Sequence, residues 1–280
     1  MCQAFSYGVT RNRYTKGVQI RDHHQRAIDR LADAYRDDPR FRGLIIGGSV
    51  AKGYARDDSD VDFLIIASDD SFERHRATSD LFINRRDLCD YDGGFVDGKI
   101  INLAFLEGLA EKGNEPSRAA FEGAFVAYSH ISDLDALLQR IPVYPEAGHD
   151  ERIRAFYAMA FMQHWFIHEA ERHGNRYTLI RAASQLALFT GRLMLAHNRR
   201  LFPYHKWLPR ALESVPEKPN DLMARFNDLL NEPCGDHATA LFDSARAFQD
   251  WGVSDLEAYT WFMTDVEWSW MSGKTSIEDW

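Results

Sequence analysis

Two short apolar runs frame a polar segment in residues 44–66, and this segment constrains the fold more than any other part of the chain. The runs, residues 43–47 and 61–67, have the length and composition of buried strands. Gly48 and Ser49 follow the first run, and Asp60 and Asp62 lie at the start of the second. We therefore predict a strand, a glycine turn leading into a short helix, and a second strand that carries two acidic side chains.

The residue types in this segment indicate a site for a polyphosphate and a metal ion. Glycines let the backbone approach phosphate groups closely, and the Ser49 hydroxyl adds a donor. Asp60 and Asp62 are two residues apart on a strand, so both carboxylates project from one face. Hard oxygen ligands beside a phosphate site suit Mg²⁺. A solvated acidic turn is the alternative, but an unpaired carboxylate at position 62, inside an apolar strand, would be costly.

The pattern of apolar residues changes near the middle of the chain and predicts two domains. We expect an α/β domain over residues 1–145 and an all-helical domain over residues 146–280, with a proline-rich stretch at 142–145. A further strand is predicted at 124–128, and a hairpin over 95–106 that turns at Asp97-Gly98. The predicted helices are 19–36, 71–86, 133–140, 151–173, 177–198, 206–214, 220–231, 236–251 and 254–272.

Composition excludes several classes of protein. The 280 residues carry a net charge of −9, and no basic stripe with interleaved aromatic residues is present, which argues against a nucleic-acid partner. Three widely spaced cysteines form neither a disulfide framework nor a zinc motif and indicate a reducing compartment. Residues 1–16 are polar and no apolar run approaches about 18 residues, so we expect neither a signal peptide nor a membrane-spanning helix. We predict a cytoplasmic protein without a membrane partner; the sequence indicates no oligomeric state.

Residues 44–66 resemble the nucleotidyltransferase superfamily of DNA polymerase β, whose signature is a Gly-Gly/Ser turn followed by Asp-x-Asp. The size and helical second half are similar to those of the kanamycin- and lincosamide-type antibiotic nucleotidyltransferases and their uncharacterised bacterial relatives. Residues 96–103 fit the third core strand of that family, residues 124–145 its next strand and helix, and residues 198–207 a segment of the helical half. The resemblance implies a nucleotidyltransferase fold with a short mixed sheet, followed by an all-helical substrate-binding domain.

The resemblance also implies an activity, the Mg²⁺-dependent transfer of a nucleoside monophosphate from a nucleoside triphosphate to an acceptor hydroxyl with release of pyrophosphate. ATP is the expected donor, and a small hydroxylated molecule the expected acceptor. The resemblance to the family implies that Gly48 and Ser49 hold the triphosphate and that Asp60 and Asp62 bind two Mg²⁺ ions. Lys206 is a candidate for a further triphosphate contact, with a solvated lysine at a helix start as the equal alternative.

One position departs from the family pattern. The family places a third carboxylate on the strand after the predicted hairpin, and there we align Asn102. An amide accepts a metal bond but cannot act as a general base. Either a carboxylate elsewhere takes this role, for which Glu169 and Glu171 are candidates, or the protein binds nucleotide without transferring it. Three acidic residues near the predicted hairpin compete, although the turn better explains the last of them: Asp90, Asp92 and Asp97.

Other charged residues have less specific interpretations. His164 and His168 have the i, i+4 spacing of metal ligands on a helix, but no Cys or Glu at a suitable offset accompanies them, and we interpret them as packing or hydrogen-bonding residues. Lys52 and Arg56 lie beside the phosphate turn, where they either screen its charge or are solvated.

Three functions follow from these observations. The leading hypothesis is a nucleotidyltransferase acting on a small molecule lodged between the domains, and the acidic composition suits a cationic acceptor such as an aminoglycoside. The second is the same chemistry on a protein or an RNA. The third is a nucleotide-binding regulatory or toxin–antitoxin-type module without turnover, for which Asn102 is the main support.

Overall fold

The structure is a computed structural model that describes residues 9–11, 19–273 and 275–279. The chain divides into two compact units, Met1–Val143 and Tyr144–Trp280. Among the helices of the described residues, none is both long enough and apolar enough to span a bilayer.

A five-stranded mixed sheet forms the centre of the first unit, as the sequence predicts. Short strands β1 (Val9–Arg11) and β2 (Gln19–Arg21) pair separately as an antiparallel ribbon. The sheet consists of β3 (Phe41–Ile46), β4 (Val61–Ala67), β5 (Phe82–Arg85), β6 (Val96–Ile101) and β7 (Phe125–Ser129), in the order β5-β6-β4-β3-β7. β4 and β6 are parallel, and the other neighbouring strands are antiparallel.

Helices cover both faces of this sheet because its central strands are apolar on both sides. The helices in the described residues of this unit are α1 (Asp22–Tyr35), α2 (Gly48–Ala51), α3 (Asp69–Ala77), α4 (Leu103–Lys112), α5 (Glu115–Ala119) and α6 (Leu134–Arg140). On one face Ile28 and Leu31 of α1 pack with Ile65. On the other face Leu106 of α4 and Leu138 of α6 enclose a second cluster. The sheet is therefore held rigidly between two apolar layers.

The helix predicted over residues 71–86 is wrong in its second half. Helix α3 begins earlier, with the Ser68 side chain accepting a hydrogen bond from the Ser71 N–H, and it ends at Ala77. Ser79 then adopts a left-handed conformation with φ of 57°. This turn reverses the chain into β5, an edge strand that the sequence analysis missed. The amino end of α1 is also later than predicted, since residues 19–21 form β2.

The hairpin predicted over residues 95–106 is also wrong. Asp97 and Gly98 lie inside the continuous strand β6, and the chain leaves that strand into α4, which Asn102 caps by accepting a hydrogen bond from the Phe105 N–H. Gly98 serves packing instead of a turn. A Cβ at this position would lie 2.4 Å from the ring of Phe63 on the neighbouring strand.

The regular elements in the described residues of the second unit are all helices, as predicted. It contains α7 (His149–Arg172), α8 (Arg176–His197), α9 (Leu208–Ser214), α10 (Leu222–Asn231), α11 (Gly235–Phe248) and α12 (Asp255–Phe262). The long helices α7 and α8 pack together along a shared apolar core that includes Ile167 and Leu186. A short 3₁₀ segment precedes α9, and irregular helical turns follow α12.

Candidate active site

Three carboxylates converge at one end of the central strands of the sheet. β4 and β6 run parallel in a register that places Asp62 directly opposite Asp97. Side chains that share a register position on parallel strands point to the same face, so these two groups lie side by side. Asp60 precedes β4 by one residue, and the three residues offer carboxylate oxygens that all lie within 4.8 Å of one another. All three side chains are partly buried. We call Asp60, Asp62 and Asp97 the carboxylate triad.

The third carboxylate is therefore Asp97, and the alignment of Asn102 with that position is wrong. Asn102 lies beyond the opposite end of β6, where its side chain caps α4 and donates a hydrogen bond to Asp69. The interpretation of Asp97 as a turn residue is also wrong. On the edge strand beside it, Asn84 pairs in register with Asp97, and its amide Nδ2 donates to Asp97 Oδ1 over 3.1 Å.

The glycine turn is built directly against the triad. Gly48 has φ of +62°, and a Cβ there would lie only 1.7 Å from Asp62 Oδ2. The preceding residue, Gly47, donates its N–H to the backbone carbonyl of Asp62 over 3.0 Å. Ser49 follows in α2 and is partly buried. Glycine at position 48 is thus required twice, by the backbone conformation and by the space that Asp62 occupies.

Lys52, at the carboxyl end of α2, is an anchor rather than a solvated side chain. Its ammonium donates to the Ala119 carbonyl over 2.8 Å and lies 3.7 Å from the Glu122 carboxylate, and only 12% of the side chain is exposed. Burial lowers the pKa of Lys52, while Glu122 and Asp62 oppose that shift. Arg56, by contrast, is exposed and pairs with Asp58, which matches its solvated interpretation.

The loop that leads to Asp60 is fixed by residues distant in sequence. The Ser59 carbonyl accepts hydrogen bonds from His24 Nε2 at 3.1 Å and from the Tyr91 hydroxyl at 2.7 Å. Since a carbonyl only accepts, the Nε2 of His24 carries the proton. Earlier in the loop, Arg21 donates to the Ala55 carbonyl. Burial, followed by the neighbouring His23, lowers the pKa of His24 to about 4. The imidazole is therefore neutral at pH 7.

The sequence candidates in the helical unit make contacts of their own within that unit. Glu169 pairs with Arg172 and lies 3.6 Å from His173, both on its own helix. Glu171 Oε2 accepts the N–H of Gly235 at the start of α11 over 3.1 Å. Lys206 is exposed, with its ammonium 5.2 Å from the centre of the Trp207 ring.

Sequence reasoning named Asp97 as a competing carboxylate but preferred to explain it as a turn residue, and it missed Asn84, His24 and Tyr91. A signal for Asp97 was present, because β4 and β6 share the pattern Val-Asp-x-x-Ile-Ile, and the structure aligns the two copies residue by residue. The other three residues contact the triad or its loop only through the tertiary fold.

The chain is similar to a solved structure described as "Crystal structure of nucleotidyltransferase-like protein from Exiguobacterium sibiricum 255-15 at 1.90 A resolution". The two sequences are 12% identical, the TM-score is 0.48, and the similarity covers 89% of this chain and 79% of that chain. No curated protein matches the sequence. Residues 28–114 match the family model described as "Nucleotidyltransferase domain", a span that holds the glycine turn and the whole carboxylate triad. Residues 28–114 therefore form a nucleotidyltransferase domain of the polymerase β-like superfamily.

Proposed function

We propose that the protein is a metal-dependent nucleotidyltransferase that moves a nucleoside monophosphate, AMP from ATP, to a hydroxyl of a small acceptor. The observation that carries this proposal is the carboxylate triad, assembled from two parallel strands against a glycine turn.

The triad has the donor set for Mg²⁺. This ion takes oxygen ligands at about 2.1 Å in octahedral geometry, so two ligands of one ion lie about 2.9 to 4.2 Å apart. The triad offers three carboxylate oxygens within 4.8 Å of one another, beside the turn proposed to hold the triphosphate. We propose that Asp60 and Asp62 hold two Mg²⁺ ions together with the phosphates, and that Asp97 completes the set. Bound Mg²⁺ would offset the charge of the phosphates and polarise the α-phosphoryl group.

Each residue then has a role in the transfer. The backbone of Gly48 and the hydroxyl of Ser49 bind the triphosphate and orient it toward the carboxylates. Asp97 accepts the proton of the acceptor hydroxyl. The acceptor oxygen forms a bond to the α-phosphorus, the bond from that phosphorus to the bridging oxygen of the β-phosphate breaks, and pyrophosphate leaves. Asn84 donates to one oxygen of Asp97 and so holds this carboxylate in one orientation beside the other two.

The role proposed for Asp97 weakens the regulatory hypothesis but not the hypothesis of transfer to a protein or an RNA. The regulatory hypothesis was supported by an amide at the third carboxylate position, and that support is gone because Asp97 supplies a carboxylate. Transfer to a protein or an RNA uses the same triad, so the acceptor has to be identified by experiment. With Asp97 proposed as the base, the chemistry does not require Glu169, and the triphosphate contact of Lys206 stays a prediction.

The first experiment is calorimetric titration of ATP, GTP, CTP and UTP into the protein with and without Mg²⁺. We expect Mg²⁺-dependent binding that Asp60→Ala/Asp62→Ala abolishes, and binding that the exposed control Asp92→Asn preserves. A second assay measures pyrophosphate release across hydroxylated acceptors, including aminoglycosides. There Asp97→Asn should retain nucleotide binding and lose transfer by about 100-fold or more.

Absence of Mg²⁺-dependent binding for all four triphosphates would refute the proposed site. Binding without pyrophosphate release from any small acceptor would refute the small-molecule assignment, and labelled nucleotide appearing on protein or RNA in a lysate would then support the second hypothesis. Full transfer activity in Asp97→Asn would refute its role as base.

A further inference from the structure

Three side-chain donors meet between two helices of the second unit. His164 and His168 lie one turn apart on α7, and Thr239 faces them from α11. The Nε2 atoms of the two imidazoles are 3.2 Å apart, and each lies 3.1 Å from Thr239 Oγ1. The three atoms therefore form a nearly equilateral triangle.

Hydrogen bonds alone cannot account for all three contacts. In a neutral imidazole, Nε2 either donates or accepts, but does not do both. If both rings carry their proton on Nε2, the contact between them sets two donors face to face. If only one does, its single proton and that of the Thr239 hydroxyl serve two of the three contacts. At least one of the three contacts therefore lacks a proton and is not a hydrogen bond.

The triangle does have the dimensions of a metal-binding face. Zn²⁺ binds imidazole nitrogens at about 2.0 to 2.1 Å, and at a tetrahedral angle two such nitrogens lie about 3.3 Å apart. The observed separations of 3.1 and 3.2 Å are close to this value on all three sides. A metal ion above the triangle would accept a lone pair from each of the three atoms. The short contacts would then need no proton between the atoms.

The surroundings hold the donors in place and leave one side open. The His164 ring stacks on Phe242 at 5.1 Å with an interplanar angle of 19°, and it is partly buried. Burial, with His168 as the second cause, lowers the pKa of His164, so this ring is neutral and able to act as a ligand at pH 7. His168 is exposed to solvent, which gives an ion and its water ligands access.

The backbone near the triangle is also constrained. The hydrogen bond from the Gly235 N–H to Glu171 ties the start of α11 to α7, four residues before Thr239. A Cβ at Gly235 would lie 2.7 Å from Nδ1 of His168 and from the Glu171 carboxylate. The close approach of α7 and α11 therefore depends on Gly235. This approach in turn sets the distance between the Thr239 hydroxyl and the two imidazoles.

We propose that His164, His168 and Thr239 bind one divalent transition-metal ion of the Zn²⁺ class. Imidazole nitrogens favour Zn²⁺ and its neighbours over Mg²⁺, which prefers oxygen ligands. The site belongs to the helical unit and does not depend on the chemistry proposed for the carboxylate triad.

The test is a calorimetric titration of Zn²⁺ into the full-length protein in excess Mg²⁺, which occupies oxygen sites without competing for imidazoles. A parallel titration with Co²⁺ follows the visible absorption that this ion gains from nitrogen ligands. We expect one ion per chain. His168→Ala and Thr239→Val should each weaken binding by about 10-fold or more, and His173→Ala, an exposed histidine at the end of the same helix, should leave it unchanged.

Either of two results would overturn the site. In the first, the wild-type protein binds no Zn²⁺ or Co²⁺ under these conditions. In the second, His168→Ala binds both ions as tightly as the wild-type protein does. Thermal unfolding of each variant shows whether it folds. Should His168→Ala fail to fold, the decision rests on Thr239→Val, which removes only the hydroxyl donor, and wild-type affinity in that variant refutes the three-donor site.

Discussion

A fall in pH from 7 to 5 should destabilise the first unit through the buried imidazole of His24. This side chain is fully buried, donates to the Ser59 carbonyl, and has a pKa of about 4, lowered first by burial and then by His23. A histidine in the unfolded chain has a pKa of about 6.5. Between these two values the unfolded chain binds more protons than the folded protein, so the free energy of unfolding decreases as the pH falls.

The size of the effect follows from the two pKa values. The contribution of His24 is complete above pH 6.5. Relative to that plateau, it falls by about 2 kcal/mol at pH 5 and by about 3 kcal/mol at pH 4. Against a typical total stability of about 5 to 15 kcal/mol, a loss of this size is readily measured.

Hydrogen exchange of the β3 and β4 amides measures this quantity locally, after correction for the intrinsic pH dependence of exchange. The matched variant is His24→Gln, whose amide can donate to the Ser59 carbonyl but does not titrate. We expect the variant to lose about 2 kcal/mol less protection than the wild-type protein between pH 7 and pH 5. All seven tryptophans lie in residues 144–280, so tryptophan fluorescence reports on the helical unit alone and serves as the control. An identical pH dependence in the two proteins would refute the reasoning.

Three further substitutions test the structure of the site. Gly98→Ala places a Cβ against the Phe63 ring and should destabilise the first unit by about 1 to 3 kcal/mol in hydrogen exchange, with partial recovery in Gly98→Ala/Phe63→Leu. Asn102→Ala removes a helix cap and should cost about 1 kcal/mol of stability without lowering pyrophosphate release; a loss of activity would restore the rejected alignment. Asn84→Ala removes the amide that holds Asp97 and should lower pyrophosphate release by about 10-fold while nucleotide binding is retained, whereas unchanged release would show that the hydrogen bond has no positioning role.

The parts of the fold that the sequence predicted are those whose signal is local. Strands β3 and β4 are mainly apolar runs on the two sides of a glycine turn, and Asp60 and Asp62 follow Gly48 by 12 and 14 positions. The helices of the second unit repeat apolar residues at helical spacing, so the bounds of α7 to α11 are close to those predicted. The helix predicted over residues 254–272 is too long, because α12 ends at Phe262 and irregular helical turns follow it. In both cases a window of about ten to twenty residues contains the information.

The errors have a common physical origin in contacts between distant residues. β5 is a four-residue edge strand with no apolar run, and only its pairing with β6 makes it a strand. The Asp97-Gly98 pair has the composition of a turn, but the ring of Phe63, 35 positions before Gly98, determines why glycine is there. The anchoring of Ser59 by Tyr91, 32 residues away, has no local signature at all.

The parallel pairing of β4 with β6 makes the candidate active site a late product of folding. Asp62 and Asp97 become neighbours only when two strands 35 positions apart have docked through a crossover connection, and such non-local parallel pairings form slowly. A one-residue slip of β6 would turn Asp97 to the opposite face of the sheet. A partly folded chain therefore offers at most Asp60 and Asp62, and a divalent cation bound as proposed above would favour the native strand register over its competitors. On this view, Mg²⁺ would act on the chain during its maturation as well as during turnover.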